Sequence, residues 1–538
     1  MSVRAFLVAA AAATASAVAF ALYARVEWPW FVLGWIGLVA WLAALDRATS
    51  FRSALVTGLL MCTAFVLVLF GWFARAMQTY SGAPWAVTLL VLLLAAPLME
   101  PQFITFALAR FFLQRSRCSR WRMAVAGACV YVGTEWAWPK LFADTLGQGL
   151  YASALMRQAA DLAGAHGLTF VLVVANECVL ATVWAATAAA TARDRIRNAA
   201  VPAACVAALV LGLLAYGAVR YQQLGGTRPG DAVRLGVVQA NISQYARLAA
   251  QLGTFDAVRS ILDTHFALSG GALARAHVDL LVWPETVYPT TFGSPKSDDG
   301  AAFDREIASF VTATRTPLLF GAYDIEGPDE FNAAVFLEPA TDGRISFETY
   351  RKASLFPLTE RVPAVLEFDF VRRWLPWLGT WKPGAGRKVI PTTIRNGRTL
   401  RIAPLICYDA LDPTLAIAAV RQGAELIVTL SNDSWFAFDG AQRLILIISA
   451  FRSIETRRPQ VRAANTGISA VIAPTGEFLA TIAPDTRGTL DGSVTPESRA
   501  NTLMLAWGDW FGPTALACAS MLLSIAAIDR LRSPIMMK

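Results

Sequence analysis

Apolar residues are concentrated in long runs at both ends of this 538-residue chain. Seven runs precede residue 221, and an eighth lies close to the C-terminus. Most of them approach the roughly 20 residues that a helix needs to cross a bilayer core. The pattern therefore predicts an α-helical transmembrane bundle of about eight helices. Their predicted spans are 3–24, 30–46, 53–75, 84–112, 121–139, 167–190, 198–219 and 506–528.

Three of these runs depart from a simple span. The runs at 30–46 and 121–139 are short or interrupted, so the pattern does not fix their ends. In the fourth run, Pro97 and Pro101 predict a kink, because proline removes a helical hydrogen bond. Glu100 lies beside this kink, and an acidic residue in a membrane helix is expected to face the protein interior.

The hydrophobic pattern changes between the seventh and eighth runs. Apolar segments there are short, β-branched and bounded by turn residues, which is typical of strands. Helical patterns alternate with them, and this alternation predicts an α/β layered domain. The predicted strands include Val233–Gln239, Val278–Trp283, Pro317–Ala322, Leu400–Cys407, Leu426–Leu430 and Ile468–Ile472. The predicted helices include Asp256–Leu268, Phe303–Thr314 and Pro413–Gln422. We therefore divide the chain into a transmembrane domain (1–220), an α/β domain (221–503), and a last helix with its tail (504–538).

Composition favours a membrane protein over a nucleic-acid-binding one. Charged residues make up only 16% of the chain, against about a quarter in soluble domains. The net charge is +8, but the arginines flank the apolar runs, as membrane topology would place them. With a cytoplasmic N-terminus, inside segments carry 13 Lys and Arg residues and outside loops carry 5. Seven crossings then place the α/β domain outside the cytoplasm, and the eighth returns the C-terminus inside.

The first run has a second interpretation as a cleaved signal peptide. It is rich in alanine and contains a single early arginine, Arg4. Cleavage would remove one helix and leave the orientation of the others unchanged. The α/β domain is therefore expected outside the cytoplasm under either interpretation.

Cysteine and histidine usage restricts the possible chemistry. Of seven cysteines, only Cys407 lies in the α/β domain, so a disulfide within that domain is excluded. The histidines are His166, His265 and His277, and neither they nor the cysteines have the spacing of a metal motif. We therefore predict a site that works without a cofactor.

Cys407 is the candidate nucleophile. It ends a predicted strand, and a helix is predicted to begin near Pro413. A thiol at such a turn is expected to be exposed and close to a positive helix end, which favours the thiolate. A lone cysteine is more often a buried structural residue. However, an unpaired thiol in an exported domain is prone to oxidation and is seldom kept for packing alone.

A carboxylate and a lysine are candidate partners for this thiol. Glu285 follows the strand Val278–Trp283, and functional groups collect at strand ends of α/β sheets. Lys352 offers a positive charge for a thiolate or an oxyanion, and Glu360 lies where it would orient this lysine. Each residue also has a simpler structural interpretation. Glu285 could be a loop or helix-capping carboxylate. Lys352 could be an ordinary surface lysine, and Glu360 its partner in a surface ion pair.

Three runs carry these residues in order: LLVWPETVYP around Glu285, YRKASLFPLTERVP around Lys352 and APLICYDALDP around Cys407. Together they resemble the Glu, Lys and Cys motifs of the nitrilase superfamily. Seven helices, such a domain and one final helix are similar to a membrane-embedded branch of that superfamily, the apolipoprotein N-acyltransferases. Further runs agree with the resemblance: VVQANISQ, LSNDSWF and RSIETRRPQVRAANTGISAVIAPTGEF.

The resemblance implies an αββα sandwich and a catalytic triad of Glu285, Lys352 and Cys407. The supporting residues that it implies are Glu360, Tyr408, Asn432 and Trp435. It also implies a phospholipid acyl donor, usually phosphatidylethanolamine, and an acceptor that is the free α-amino group of a diacylglyceryl-cysteine on a lipoprotein. The acyl chain would pass through a Cys407 thioester in ping-pong order. The enzyme would lie in a bacterial inner membrane, with its catalytic domain periplasmic and both termini cytoplasmic.

Lipid-anchored substrates require a site at the membrane surface. The segment Phe368–Trp381, with Trp374, Trp377 and Trp381, is therefore expected either to dip into the interface or to pack in a core. The sequence also departs from the family pattern at three points. Cys-Tyr-Asp ending at Asp409 replaces Cys-Tyr-Glu, Thr359 stands where a glycine is common, and a histidine between the Trp435 region and Arg452 is absent.

Two other functions fit part of the pattern. A membrane-tethered amidase would use the same triad with water in place of the amine, but a small soluble substrate needs no eight-helix frame. A non-enzymatic scaffold or transporter would need no triad. Few charges lie within the predicted helices, so no transport path is evident.

Overall fold

The computed structural model describes residues 1–532 except 117, 189–190, 225–231, 243–244, 340–344, 363–366, 375–378, 436–438 and 498–499. The chain divides into two compact units. A helical unit comprises Met1–Gln223 and Asp509–Lys538, and an α/β unit comprises Leu224–Gly508. The divisions expected from the sequence lie after residues 220 and 503.

The helices, in chain order, have the following bounds. They are α1 (Val3–Tyr23), α2 (Val39–Leu45), α3 (Phe51–Ser81), α4 (Trp85–Met99), α5 (Gln102–Arg115), α6 (Arg120–Ala137), α7 (Ala160–Ala188), α8 (Ala192–Leu224), α9 (Tyr245–Leu252), α10 (Thr254–Arg275), α11 (Asp298–Thr314), α12 (Asp369–Trp374), α13 (Pro413–Arg421), α14 (Asp439–Thr456), α15 (Leu503–Trp507) and α16 (Phe511–Arg532).

Within the described part of the chain, five helical segments are long and apolar enough to cross a membrane. They comprise α1, α3, α7 with the turn before it, α8 and α16, and a sixth is added if α4 and α5 form one span bent by 47°. This number is smaller than the eight predicted. The run at 30–46 forms a 3₁₀ segment and the short α2, and the run at 121–139 forms α6, whose 18 residues include three charged side chains.

The bend between α4 and α5 lies where the prolines predicted it. Pro97 is inside α4 and Pro101 is the N-cap of α5. Glu100, between the two helices, is buried, and Lys140 Nζ donates to its Oε2 at 3.0 Å. The acidic side chain beside the break therefore faces the interior of the helical unit, as expected.

The strands of the α/β unit form two six-stranded sheets. They are β1 (Val233–Gln239), β2 (Leu280–Val282), β3 (Leu318–Glu326), β4 (Asp329–Pro339), β5 (Ile345–Arg351), β6 (Ile390–Thr393), β7 (Thr399–Ile406), β8 (Leu426–Ser431), β9 (Gln460–Ala464), β10 (Ser469–Ile472), β11 (Phe478–Ile482) and β12 (Gly488–Val494). The first sheet has the order β12-β1-β2-β3-β4-β5 and the second β11-β10-β9-β8-β7-β6. The centre of each is parallel, through β1-β2-β3 and β7-β8-β9, and the flanking pairs are antiparallel.

Apolar side chains from both sheets meet in one buried core. Its members include Val237, Val282, Leu319, Ile402, Val428 and Val461. A second cluster packs α10 and α11 on the outer face of the first sheet, and a third packs α13 on the outer face of the second. The unit is thus a helix–sheet–sheet–helix sandwich, which confirms the predicted αββα fold. The strands and helices predicted in this unit are all present, with ends shifted by at most seven residues.

Candidate active site

Glu285 lies in the loop that follows β2, and a glycine of the neighbouring strand makes room for it. A Cβ on Gly321 would come within 2.6 Å of Glu285 Cα and 2.4 Å of Thr286 N. Thr286 itself has φ of 55°, in the left-handed region, so the chain turns sharply after the carboxylate. The result is a carboxylate held inside the protein, with 4% of the residue exposed. Glu285 is therefore not a solvated loop residue.

Lys352 directly follows β5 and is anchored at its backbone and its side chain. Lys352 N donates to Asn332 O at 2.8 Å, and Gly384 N donates to Lys352 O at 2.7 Å. The buried ammonium donates to Glu285 Oε1 at 3.0 Å and to Glu360 Oε1 at 2.8 Å. The interpretation of Lys352 as an ordinary surface lysine is therefore excluded.

Asn332, in the middle of β4, completes this polar cluster. Its Nδ2 donates to Glu285 Oε1 at 2.8 Å and to Glu360 Oε1 at 3.3 Å. The other oxygen of Glu360 accepts from Phe356 N at 2.7 Å. The two carboxylates are thus held beside one ammonium by an amide that binds both.

A backbone group from the second sheet also binds Glu285. Asn432 immediately follows β8, and its N–H donates to Glu285 Oε2 at 2.8 Å. The next residue, Asp433, is fully buried and accepts from Arg462 Nη2 at 2.9 and 2.8 Å. Glu285, at the carboxyl end of β2 in one sheet, is therefore tied to the carboxyl end of β8 in the other.

Cys407 follows the last residue of β7 and begins a short 3₁₀ turn, Cys407–Leu411. Its φ of 48° lies in the left-handed region, which is unfavourable for a residue with a side chain. The predicted helix begins at Pro413, as α13, and Asp412 Oδ1 accepts from Thr414 N at 2.8 Å. Because β7 and β8 are parallel neighbours, Cys407 and Asn432 leave the same edge of the sheet.

Asp409 joins the cysteine turn to the lysine segment. Its Oδ1 accepts from Ser354 N at 2.7 Å and from Ala353 N at 3.1 Å. Its Oδ2 accepts from Tyr350 Oη at 2.9 Å and from Ile406 N at 3.0 Å. Burial raises the pKa of this carboxyl to about 6, although its hydrogen bonds act in the opposite direction. The aspartate that departs from the family pattern thus has four donors.

The charges of the site act on the cysteine from several sides. Burial raises the pKa of the Cys407 thiol, and the negative charge of Glu285 raises it further. Lys352 opposes this change, whereas Asp433 and Glu360 add to it. The thiolate expected from the sequence is therefore wrong for the resting protein. The thiol is half-buried among carboxylates, and a 3₁₀ turn separates it from the first turn of α13.

The carboxylate and lysine have shifted acid–base properties as well. Burial raises the pKa of Glu285, and the ammonium of Lys352 opposes that rise. Burial disfavours the charged form of Lys352, but attraction to Glu285 and Glu360 outweighs it, so the pKa of Lys352 is raised well above its usual value. The cluster therefore contains a firmly charged ammonium between carboxylates, beside a neutral thiol.

The remaining predicted residues lie near this cluster or beyond the described part. The ring of Tyr408 packs edge-on against Phe356 at 5.2 Å between centroids. Trp435 ends a 3₁₀ turn, and its side chain lies outside the described residues. In the aromatic segment, Phe368 and Phe370 are exposed and stack at 5.7 Å, whereas Trp381 packs on Tyr323 at 4.6 Å. Trp377 and the side chain of Trp374 also lie outside the described residues.

The sequence patterns did not predict three residues of the site: Asn332, Asp433 and Arg462. Asn332 lies inside a strand with no local motif, and the contact between Asp433 and Arg462 joins residues far apart in sequence. The runs LSNDSWF and RSIETRRPQVRAANTG contain the last two, but a sequence run gives no sign that they meet. In the described ranges, no group of three or more His, Cys, Asp or Glu side chains is placed to hold a metal ion.

Two family models match the chain. The carbon–nitrogen hydrolase model matches residues 234–502, and the model of the apolipoprotein N-acyltransferase N-terminal domain matches residues 11–178. Apolipoprotein N-acyltransferase of Bdellovibrio bacteriovorus is 28% identical over 458 residues, covering 82% of this chain and 79% of that protein. Apolipoprotein N-acyltransferase of Geobacter metallireducens is 27% identical and covers 92% of this chain and 91% of its own. Among solved structures, an amidase from Nesterenkonia sp. is 18% identical with a TM-score of 0.37, covering 51% of this chain and 94% of the amidase.

Proposed function

Because this chain belongs to the carbon–nitrogen hydrolase family and has apolipoprotein N-acyltransferases as its relatives, we propose that it transfers a fatty acyl chain from a phospholipid to a lipoprotein. The acceptor is the α-amino group of a diacylglyceryl-cysteine, and the acyl chain travels on Cys407. The observation that carries the proposal is the buried contact of Lys352 with both Glu285 and Glu360. This contact lies beside a cysteine at a strand end, in a chain that also has a long apolar helical unit.

The first half-reaction begins from a neutral thiol. Glu285 takes the thiol proton as Cys407 Sγ attacks the ester carbonyl of the phospholipid. The tetrahedral intermediate then breaks its bond to the glycerol oxygen. That oxygen receives the proton from Glu285, lysophospholipid leaves, and the acyl chain remains on Cys407 as a thioester.

Lys352 is suited to stabilise the oxyanion of this intermediate. An ammonium has three N–H donors, and among the described residues two of them bind Glu285 and Glu360. The third is available for the oxyanion, with the backbone N–H of Tyr408 as a second donor. A fixed positive charge in a dry site stabilises developing negative charge far more than it would in water.

The second half-reaction uses the same base. Glu285 takes a proton from the incoming amine as its nitrogen attacks the thioester carbonyl. The bond to Sγ breaks, the proton passes from Glu285 to the sulfur, and an amide and the free thiol result. Donor and acceptor never need to occupy the site together, so the kinetics are ping-pong.

We place the enzyme in a bacterial inner membrane, with the α/β unit in the periplasm and both termini in the cytoplasm. The excess of Lys and Arg in the segments assigned to the inside supports this orientation. Counting α4 and α5 as one span leaves five spans before the α/β unit, an odd number like the predicted seven. Exposed Phe368 and Phe370 are candidates for contact with the interface or with an acyl chain.

Mass spectrometry of the purified full-length protein tests the reaction class. The protein is incubated with phosphatidylethanolamine and no acceptor, then digested. We expect one acyl chain on Cys407 and one equivalent of lysophospholipid. Release of lysophospholipid only when acceptor is present would exclude the thioester route. Released fatty acid in place of an amide, after acceptor is added, would favour the amidase alternative.

A further inference from the structure

The two carboxylate oxygens of Glu285 accept different numbers of hydrogen bonds. Oε1 accepts from Lys352 Nζ at 3.0 Å and from Asn332 Nδ2 at 2.8 Å. Oε2 accepts, among the described residues, only from Asn432 N at 2.8 Å. Each carboxylate oxygen has about two lone-pair positions. Oε1 is therefore fully used, and Oε2 retains one position at which a proton can arrive.

A buried ion pair fixes the N–H that binds Oε2. Asp433, next to Asn432 in the chain, accepts from Arg462 Nη2, and both side chains are fully buried. Ser431 Oγ donates to Asp433 Oδ1 at 2.6 Å and accepts from Arg462 Nη2 at 3.0 Å. The residues on both sides of the Asn432 amide are thus held by one arginine from β9. The Asn432 amide therefore lies between two residues that are anchored in the protein interior.

Two further contacts close the turn around this pair. A Cβ on Gly467 would lie 1.9 Å from Asp433 Oδ2, so only glycine leaves room for the carboxylate. Asn465 N donates to Ser431 O at 3.1 Å. A buried ion pair is a poor source of stability, because desolvation offsets its attraction. A role in holding geometry explains its presence better than a role in stability.

We propose that Glu285 exchanges protons on Oε2, and that Asp433 and Arg462 form a positioning pair that aims this oxygen through the Asn432 N–H. The inference rests on the proposed function, in which Glu285 is the base and Cys407 the nucleophile. In the acylation step, the Cys407 proton moves to Oε2 as the S–C bond forms, and it then leaves on the glycerol oxygen. Oε1 stays bound to Lys352 and Asn332 throughout.

The pair has a second, electrostatic effect that makes it testable. The charged groups that act on the Cys407 thiol are Glu285, Lys352, Asp433 and Glu360. Arg462 neutralises Asp433 at contact distance. Arg462→Gln leaves an uncompensated negative charge near the thiol, which favours its protonated form. Asp433→Asn leaves an uncompensated positive charge, which favours the thiolate.

The experiment uses full-length protein in detergent micelles with two readouts. Single-turnover acylation by labelled phosphatidylethanolamine reports the base, and the rate of Cys407 alkylation by iodoacetamide at pH 8 reports the thiolate fraction. We expect both Asp433→Asn and Arg462→Gln to slow acylation about 10²-fold, the lower end of what a positioned base contributes. We expect alkylation at this pH to be faster than in wild type for Asp433→Asn and slower for Arg462→Gln. General loosening of the fold would not change the two rates in opposite directions.

Two glycine variants keep the test decisive if the charge variants do not fold. Gly467→Ala displaces the Asp433 carboxylate without changing any charge, so acylation should slow while the rate of alkylation at pH 8 stays close to that of wild type. Gly488→Ala is the matched control, because a Cβ there meets nothing within 4 Å, and it should behave as wild type. Folded Gly467→Ala or Arg462→Gln protein that acylates within threefold of wild type would overturn the positioning role, as would alkylation rates that change in the same direction in both charge variants. If wild type itself forms no acyl-cysteine, the proposed function fails instead.

Discussion

Replacing Lys352 with Met tests how far the site depends on one ammonium. The change removes the positive charge that contacts Glu285 and Glu360, where the side chains of Lys352 and Glu285 are 1% and 5% exposed. Removing one partner of a buried ion pair typically costs about 3–5 kcal/mol, because the remaining charge is buried without compensation. We expect Lys352→Met to lose about this much unfolding free energy at neutral pH.

The sign of the pH dependence follows from the carboxylates that remain. Burial already raises the pKa of Glu285, and Lys352 is the group that opposes the rise. Without the lysine, the pKa of Glu285 rises further above its unfolded value, so the folded variant binds a proton more tightly than the unfolded chain does. The stability deficit should therefore be greatest above the raised pKa and shrink as the pH falls through it. Wild type should show a smaller change over the same range.

Activity should fall more than stability accounts for. Loss of one oxyanion donor typically lowers turnover about 10²–10³-fold, and we expect this reduction in both half-reactions. The assays are melting temperature in detergent from pH 5 to 8 and single-turnover acylation. The double variant Lys352→Met/Glu360→Gln should regain part of the stability but none of the activity, since one of the two repelling carboxylates is gone. A Lys352→Met protein that melts like wild type at pH 7 and acylates within threefold of it would refute the reasoning.

Four other changes give sharp expectations. Cys407→Ala should abolish acyl transfer without lowering the melting temperature, as measured by N-acylation of a lipopeptide and by thermal denaturation; near-normal acylation would remove Cys407 as the nucleophile. Glu285→Gln should form little thioester and should also pass on a preloaded acyl group slowly, because both half-reactions need the base; rapid transfer from preloaded enzyme would limit Glu285 to the first step. Burial raises the pKa of folded Asp409 from 3.8 to about 6, so this group stabilises the fold below pH 4. It loses about 3 kcal/mol of that contribution as the pH rises through 6. In pH-dependent melting, Asp409→Asn should lack this change of stability with pH. A reporter fused near residue 300 should be active only outside the cytoplasm, and cytoplasmic activity would overturn the topology.

Local patterns were sufficient to predict an α/β layered domain, and the family resemblance implied the sandwich and the motif residues. Short, β-branched apolar runs bounded by turn residues predicted β1, β7 and β8, since a strand buried in a sheet needs apolar side chains along its length. Glu285 and Cys407 were found because each lies at the end of a predicted strand, and Lys352 was found because it lies in a run that resembles the lysine motif of the nitrilase superfamily. The contact between Lys352 and Glu360 was anticipated for the same reason, because the two lie in one run.

Features that depend on packing between distant segments could not be predicted. In the sequence, Asn332 cannot be distinguished from other polar residues in strands. Its contact with Glu285 exists only after β4 has packed beside the loop that holds the glutamate. The protonation of Cys407 was predicted wrongly because a helix end is visible in the sequence, whereas burial beside Glu285, Glu360 and Asp433 is not. Among the described residues, fewer helices than predicted are long and apolar enough to cross a membrane, because an apolar run such as 30–46 can break into a 3₁₀ segment and a short helix.

The left-handed backbone conformation of Cys407 limits how far substitutions can raise the stability of this protein. Such a conformation costs about 1 kcal/mol or more for any residue with a Cβ, and glycine alone adopts it freely. Glycine, however, has no thiol. The chain therefore cannot relieve this strain by substitution without losing the group that would accept the acyl chain. Selection for stability and selection for acyl transfer act on the same backbone angle, and any gain in stability must come from other residues.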